Sequence, residues 1–152
     1  MKKLLLLSLL ALGSSCQTDA DLRPATHDEL AMDTGHWEWV STAYMSGLRT
    51  PTTEGYTREL LFGASSQLTL RRSGQDDYRT TYQLAMGTLP YCGQNTPSVP
   101  TITYATNEKG LNNNDRKTYR ISQQNGRQML SITGEAACVD GGATETYYWV
   151  AD

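Results

Sequence analysis

The chain has 152 residues, of which 38% are hydrophobic, 19% charged and 9% aromatic, a size and composition that suit one compact domain and nearly exclude a two-domain enzyme. Thirteen Lys and Arg against sixteen Asp and Glu give a net charge of -3, too few basic residues to neutralise a nucleic-acid backbone, so no nucleic-acid partner is expected. Nine Tyr, three Trp and twenty Thr beside a single Phe favour pleated, half-buried strands over helices.

The first element is an address. Lys2 and Lys3 precede a short apolar run, Leu4 to Leu12, broken only by Ser8, and residues 1–15 therefore read as an export signal. The run is well short of the roughly 18 apolar residues that span a bilayer, and no later segment approaches that length. The next residues, Leu12-Gly13-Ser14-Ser15-Cys16, resemble the lipobox of bacterial lipoproteins, with Gly13 where the usual Leu stands. That resemblance implies a lipid on Cys16 and a membrane partner held through it. Gln17 in place of Asp after the cysteine is similar to the sorting pattern of outer-membrane lipoproteins, which implies an outer-membrane anchor in the cell envelope. With Cys16 assigned to lipid, Cys92 and Cys138 form one even pair in an exported domain. A disulfide between them would close a loop of roughly 45 residues and contribute on the order of 3 to 4 kcal/mol. Two buried free thiols is the other reading.

Residues 16–35 read as a lipidated acidic tether, with Asp19, Asp21, Asp28, Glu29 and Asp33 against Arg23 alone. Within it Thr26-His27-Asp28-Glu29 has the Thr-x-x-Glu spacing of a capping box, so a short helix is expected over 26–32.

From His36 onward, residues 36–152 alternate apolar and polar positions in short runs separated by Gly, Pro, Asn and Asp, the pattern of an all-β domain. The periodicity predicts eight strands, at 36–44, 56–62, 67–72, 78–86, 101–106, 118–122, 128–133 and 145–150. Asn125-Gly126 is the strongest hairpin signal between them. Alternation assigns Trp37, Trp39, Leu60, Phe62, Leu68, Leu70, Tyr78, Tyr82, Leu84, Ile102, Tyr104, Tyr119, Ile121, Leu130, Ile132, Tyr147 and Trp149 to one face. Glu38, Glu59, Arg71, Arg79, Gln83, Arg120 and Ser131 fall on the other. Hairpin-sized gaps favour an eight-stranded antiparallel up-and-down β-barrel, and a β-sandwich is the alternative. The segments 45–55, 87–100 and 135–144 are expected as long loops. In such a barrel the loops holding Cys92 and Cys138 would lie at opposite ends, a conflict with the proposed bridge.

Gly35-His36-Trp37 at the start of the first strand is similar to the Gly-x-Trp opening of lipocalins. Together with Trp39-Val40, Glu54-Gly55-Tyr56, Leu60-Leu61-Phe62, Asp140-Gly141 and Tyr147-Tyr148, the order resembles the small lipocalin-like lipoproteins of Gram-negative bacteria. The resemblance implies that Trp37 plugs the closed base of the barrel. The last strand lacks the Arg that packs over that Trp in the family, and Arg58 stands in as its expected partner at the base.

Chemistry is thinly represented. The domain has one His, His36, at a strand start, and the acids Glu38, Glu59 and Glu145 have outward parity or lie at a strand end, so no catalytic residue is assigned and an enzyme is not expected. Asn112-Asn113-Asn114-Asp115 lacks the glycine and the bidentate Glu of a calcium loop, so neither a metal site nor a cofactor is expected. Two functions remain. One is a ligand-binding barrel in which Trp39, Phe62, Tyr78, Tyr82, Tyr104, Tyr119 and Trp149 line a pocket for a small hydrophobic or amphipathic molecule. The other is an interaction or inhibitor protein of the envelope, with a filled barrel, that meets a protein partner through its loops. Ser46-Gly47-Leu48-Arg49-Thr50 matches only half of the Ser-Gly-x-x-Tyr loop found in lysozyme inhibitors.

Overall fold

A computed structural model describes residues 25–91, 94–105, 116–137 and 142–152, and only the backbone of 89–91 and 94–97. Cys16, Cys92 and Cys138 lie outside the described residues, as do the stretch expected as an export signal and most of that expected as a tether. The elements run α1 (His27–Leu30), β1 (Gly35–Tyr44), β2 (Gly47–Arg49), α2 (Pro51–Glu54), β3 (Arg58–Gly63), β4 (Gln67–Arg72), β5 (Tyr78–Tyr91), β6 (Gln94–Tyr104), β7 (Lys117–Gln124), β8 (Arg127–Gly134) and β9 (Thr144–Ala151).

All nine strands belong to one antiparallel sheet in the order β2-β1-β3-β4-β5-β6-β7-β8-β9, and β1 also pairs with β9. That last ladder, from Gly35↔Ala151 to Ala43↔Thr144, closes eight of the strands into a ring. The sheet is therefore single and continuous, and no second sheet stacks on it among the described residues. Each predicted strand has a counterpart, and β4 has the predicted bounds, but β5 runs on past 86 to Tyr91 and β6 begins at Gln94, well before 101. Asn125 and Gly126 both take positive φ, 54° and 75°, as a two-residue hairpin turn of this twist requires.

Two predicted loops are built differently. Residues 45–55 hold β2 and α2. Pro51 opens α2, Thr50 and Thr53 cap each other reciprocally, and Gly55 ends it in the left-handed region at φ 74°. Residues 87–100 are not a loop, because β5 and β6 continue as a ribbon out to Tyr91↔Gln94.

The inner face is the one that alternation assigned. Trp37, Trp39, Leu60, Phe62, Leu68, Leu70, Tyr82, Ile102, Tyr104, Tyr119, Leu130, Ile132 and Tyr147 are buried, and Tyr78, Leu84, Ile121 and Trp149 pack against them half-covered. One register shift disturbs the period. An extra residue, Val40, bulges from β1 between Trp39↔Tyr147 and Ser41↔Thr146, so the next inward side chain is Thr42 rather than Ser41. Trp39 Nε1 then donates to Thr42 Oγ1 at 2.9 Å, which satisfies the indole inside the ring.

The end of the tether is part of the fold. Thr26 precedes α1 but makes no side-chain capping bond, so the predicted capping box does not form. What holds the four-residue helix is burial. Leu30 is 0% exposed, and its carbonyl accepts from Trp37 Nε1. Tyr119 Oη donates to Ala25 O at 3.3 Å, and Tyr82 Oη lies 3.4 Å from His27 Nδ1. A helix this short has no independent stability, so docking has to supply it. Trp149 packs edge-on against Trp37 with ring centroids 5.2 Å apart. The base is thus built from Trp37, Trp149 and Leu30, and Arg58, expected there, is absent from it.

Gly35 allows this closure. A Cβ at that position would stand 2.9 Å from Trp149 Cζ2 and 3.0 Å from Ala151 Cα, closer than side-chain atoms pack. Leu30→Ala is expected to lower stability by about 2–4 kcal/mol in urea unfolding, since it empties a fully buried site. A loss below about 0.5 kcal/mol, the range of ordinary surface changes, would mean that α1 does not belong to the folded unit.

Candidate functional site

The two ends of the ring differ in chemistry. At the end where β1 begins, Trp37, Leu30 and Trp149 make an apolar plug. At the other end, where β3 and β9 begin, the interior holds a charge. Arg58, only 7% exposed, points inward from β3, and its Nη2 lies 2.9 Å from Glu145 Oε1 at the start of β9. Glu145 Oε2 accepts from Tyr147 Oη at 2.9 Å. The guanidinium also rests 5.1 Å from the Trp39 ring and 5.4 Å from the Tyr147 ring, so two aromatic faces share its charge.

Strand register explains why these residues meet. Trp37 pairs with Leu60 on β3 and with Trp149 on β9, so Arg58 and Tyr147, each two residues away on the same face, flank Trp39 one layer further along. Arg58 therefore packs over Trp39, not Trp37. Glu145, placed by sequence at a strand end, is opposite Thr42 across the β1–β9 ladder and completes the cluster.

Burial alone works against the charge on Arg58, but the oxygens of Tyr147 and Glu145 outweigh it and raise its pKa further above the ordinary arginine range. Tyr104 reaches the same region from β6 on the facing wall. Its hydroxyl pKa is raised, first by burial and then by the Glu145 carboxylate. Two donors of this cluster, Arg58 Nε and Tyr104 Oη, are buried without a hydrogen-bond partner among the described residues. A stack covers the cluster from outside. Tyr56 lies parallel to Trp39 at 5.5 Å, and Arg72 lies 3.5 Å over Tyr56.

Several of the residues assigned to a pocket pack against their neighbours among the described residues. Phe62 and Tyr82 meet edge to face at 5.0 Å, Tyr119 is turned toward Ala25, and Trp39 bonds Thr42. Trp37, Leu60, Leu68, Leu130 and Tyr147 are 0% exposed, which means that not even a water-sized void touches them. Tyr78 and Trp149 are half-buried at the margin of this core. Eight strands enclose about the room that side chains fill.

Outside the ring, the same end carries the largest exposed apolar groups. Met45 and Leu48 are 66% and 60% exposed, at the tip of the β1–β2 hairpin. Arg49 stands over the Tyr44 ring at 4.8 Å and lies 3.8 Å from Glu54 on α2. Next to the hairpin, an open cleft of about 470 Å³ runs between α2 and the outer wall, lined by Glu38, Val40, Thr50, Pro51, Thr52, Arg127 and Tyr148. Arg127 covers the Tyr148 ring at 4.6 Å. Among the described residues, no group of three His, Cys, Asp or Glu side chains is placed to hold a metal ion. The sequence reading named 45–55 as a contact loop but missed β2 within it, because Gly47–Arg49 is too short to show a period. It also missed the inward role of Glu145, although that residue shares its parity with Tyr147 and Trp149.

Comparison with protein-family models, with curated proteins and with solved structures found no match to the chain.

Removing one partner from a buried ion pair leaves an uncompensated charge, so Glu145→Gln is expected to cost about 3–5 kcal/mol in chemical denaturation. The double replacement Arg58→Met with Glu145→Leu should recover most of that loss. A single variant as stable as the parent would show that the pair does not hold this end together. The tyrosines give a pH test. Burial pushes Tyr119 up to about 12 from its usual 10.0, and raises Tyr82, Tyr104 and Tyr147 as well. The folded state thus holds these protons more tightly than the unfolded chain. Their contribution is complete below pH 10 and is lost as pH rises above it, for Tyr119 through about 12. Absorbance at 295 nm should show part of the tyrosine signal titrating late and together with unfolding, whereas a single normal transition near pH 10 would contradict the buried hydroxyls.

Proposed function

We propose that the chain is an envelope lipoprotein carrying a lipocalin-like barrel with a filled interior, and that it acts by surface recognition of another protein at the Arg58 end, not by carrying a ligand inside. The observation that supports this most is the packed core. Side chains from every strand of the ring except β5 and β7 include members that are at most 1% exposed, together with Leu30 and apart from the half-covered margin and the Arg58 end. Met45 and Leu48 give the recognition surface an apolar tip, and the adjoining cleft offers Glu38, Arg127 and Tyr148 as polar and aromatic neighbours. Exposed apolar side chains rimmed by polar groups are a common composition of contact surfaces. The lipid on Cys16 would hold the domain at the outer membrane, and a Cys92–Cys138 bridge remains part of the proposal.

A small-molecule ligand is the second reading, and one observation favours it. Arg58 Nε and Tyr104 Oη are buried donors that lack an acceptor, which a ligand oxygen entering past Tyr56 would supply. Native mass spectrometry of the chain purified from its own envelope separates the two. A bare protein mass is expected, and a small molecule released on denaturation would replace the filled-barrel reading with the ligand-binding one. For the anchor, Cys16→Ser is expected to move the protein from the membrane fraction to the soluble fraction. Unchanged membrane association would remove the lipoprotein assignment.

A further inference from the structure

The β5–β6 ribbon leaves the ring with one of its edges open. Tyr82 N–H donates to Ser66 O at 2.9 Å, on the β4 side, and Ala105 N–H donates to Thr81 O at 2.9 Å, on the β6 side. Along a strand, the N–H and C=O of one residue point the same way, and those of the next residue point oppositely. Leu84, Met86 and Thr88 therefore aim their backbone groups away from β6. Yet β4 ends at Gln67, which pairs with Thr81, so nothing among the described residues lies beside those three.

The other edge of the ribbon is guarded. By the same alternation Pro100 faces β7, and it has no N–H to give, which explains why the β6–β7 ladder stops at Thr101↔Thr118. Further out, β6 carries Pro97, left-handed Ser98 at φ 54° and an extra residue in the register between Val99 and Thr96. Prolines, bulges and charges are the usual devices that keep an edge from pairing. The β5 edge has none of them before Pro90. Charge is missing too: residues 80–107 contain no Asp, Glu, Lys or Arg in a chain that is 19% charged.

We propose that this edge pairs with the same edge of a second copy of the chain, in an antiparallel two-fold contact centred on Met86. Leu84 then lies opposite the partner subunit's Thr88, and Met86 opposite the partner subunit's Met86. Each of the three outward residues in one copy exchanges an N–H and a C=O with the other. Two uncharged edges meet without like-charge repulsion, so the identical copy is an electrostatic match. The guarded β6 edge cannot accept a strand, so assembly closes at two copies and does not run on into a filament. The two rings would point away from each other, with their Trp37 ends toward the contact.

Sedimentation velocity of the full chain in density-matched detergent tests this. A concentration-dependent dimer is expected. Met86→Lys sets two ammonium groups face to face on the two-fold axis and should weaken the dimer at least about tenfold, while Gln123→Lys on β7 adds the same charge elsewhere and should leave it intact. Circular dichroism checks that both variants are folded. Independently of the lysine variant, Met86→Cys should yield an oxidised covalent dimer in membranes above the wild-type level. A wild-type chain that stays monomeric across the concentration series overturns the proposal. So does a Met86→Lys dimer as tight as wild type, or a Gln123→Lys variant that dissociates equally.

Discussion

The ladder between the first and last strands is the constraint on which the rest depends. Until β9 pairs with β1 from Gly35↔Ala151 to Ala43↔Thr144, the sheet has two long open edges and an apolar face with nothing to cover it. Closing the ring turns that face inward, brings Trp149 against Trp37 and Tyr147 beside Trp39, and sets Glu145 across from Thr42. It also fixes what Gly35 must be. The glycine lies where the backbone of β9 and the Trp149 ring come too close for a Cβ.

Closure alone does not finish either end, and the two are finished by different physics. At the Trp37 end the segment 25–30, which holds the four-residue helix, contributes one leucine and three backbone or ring contacts, so that the polar ends of Trp37, Tyr119 and Tyr82 find partners in a stretch that has almost no structure of its own. At the Arg58 end a buried guanidinium is balanced by one carboxylate and by aromatic faces. Such a pair adds little net stability compared with apolar residues of the same volume, but it makes any loss of one member costly. The charged cluster and the exposed Met45 and Leu48 lie at this end, while the cleft beside α2 runs along the outer wall toward the level of Trp37, where Glu38 pairs with Tyr148.

The fold was largely legible because period two is a local property. Each short run shows which of its side chains share a face, and the assigned set, from Trp37 to Trp149, is the one the ring encloses. Asn125-Gly126 was equally readable, because a two-residue turn with positive φ at both positions leaves few residue choices. The misreadings have physical causes as well. The bulge at Val40 shifts the parity of β1, and nothing in the residues on either side of it announces the extra position. The segment 87–100 is rich in Pro and Gly and has the composition of a loop, yet pairing between its two halves carries it as a ribbon.

The sequence by itself determined that the domain is all-β, which side chains face inward, where most of its strands begin and end, and that Arg58 points to the interior. Those properties follow from neighbours along the chain. Only the tertiary structure decided that Arg58 serves Glu145 and Trp39 instead of Trp37, that Leu30 joins the core, and that Phe62 meets Tyr82 edge to face. These depend on register between strands far apart in sequence and on the width of an eight-membered ring, neither of which is written in any single segment.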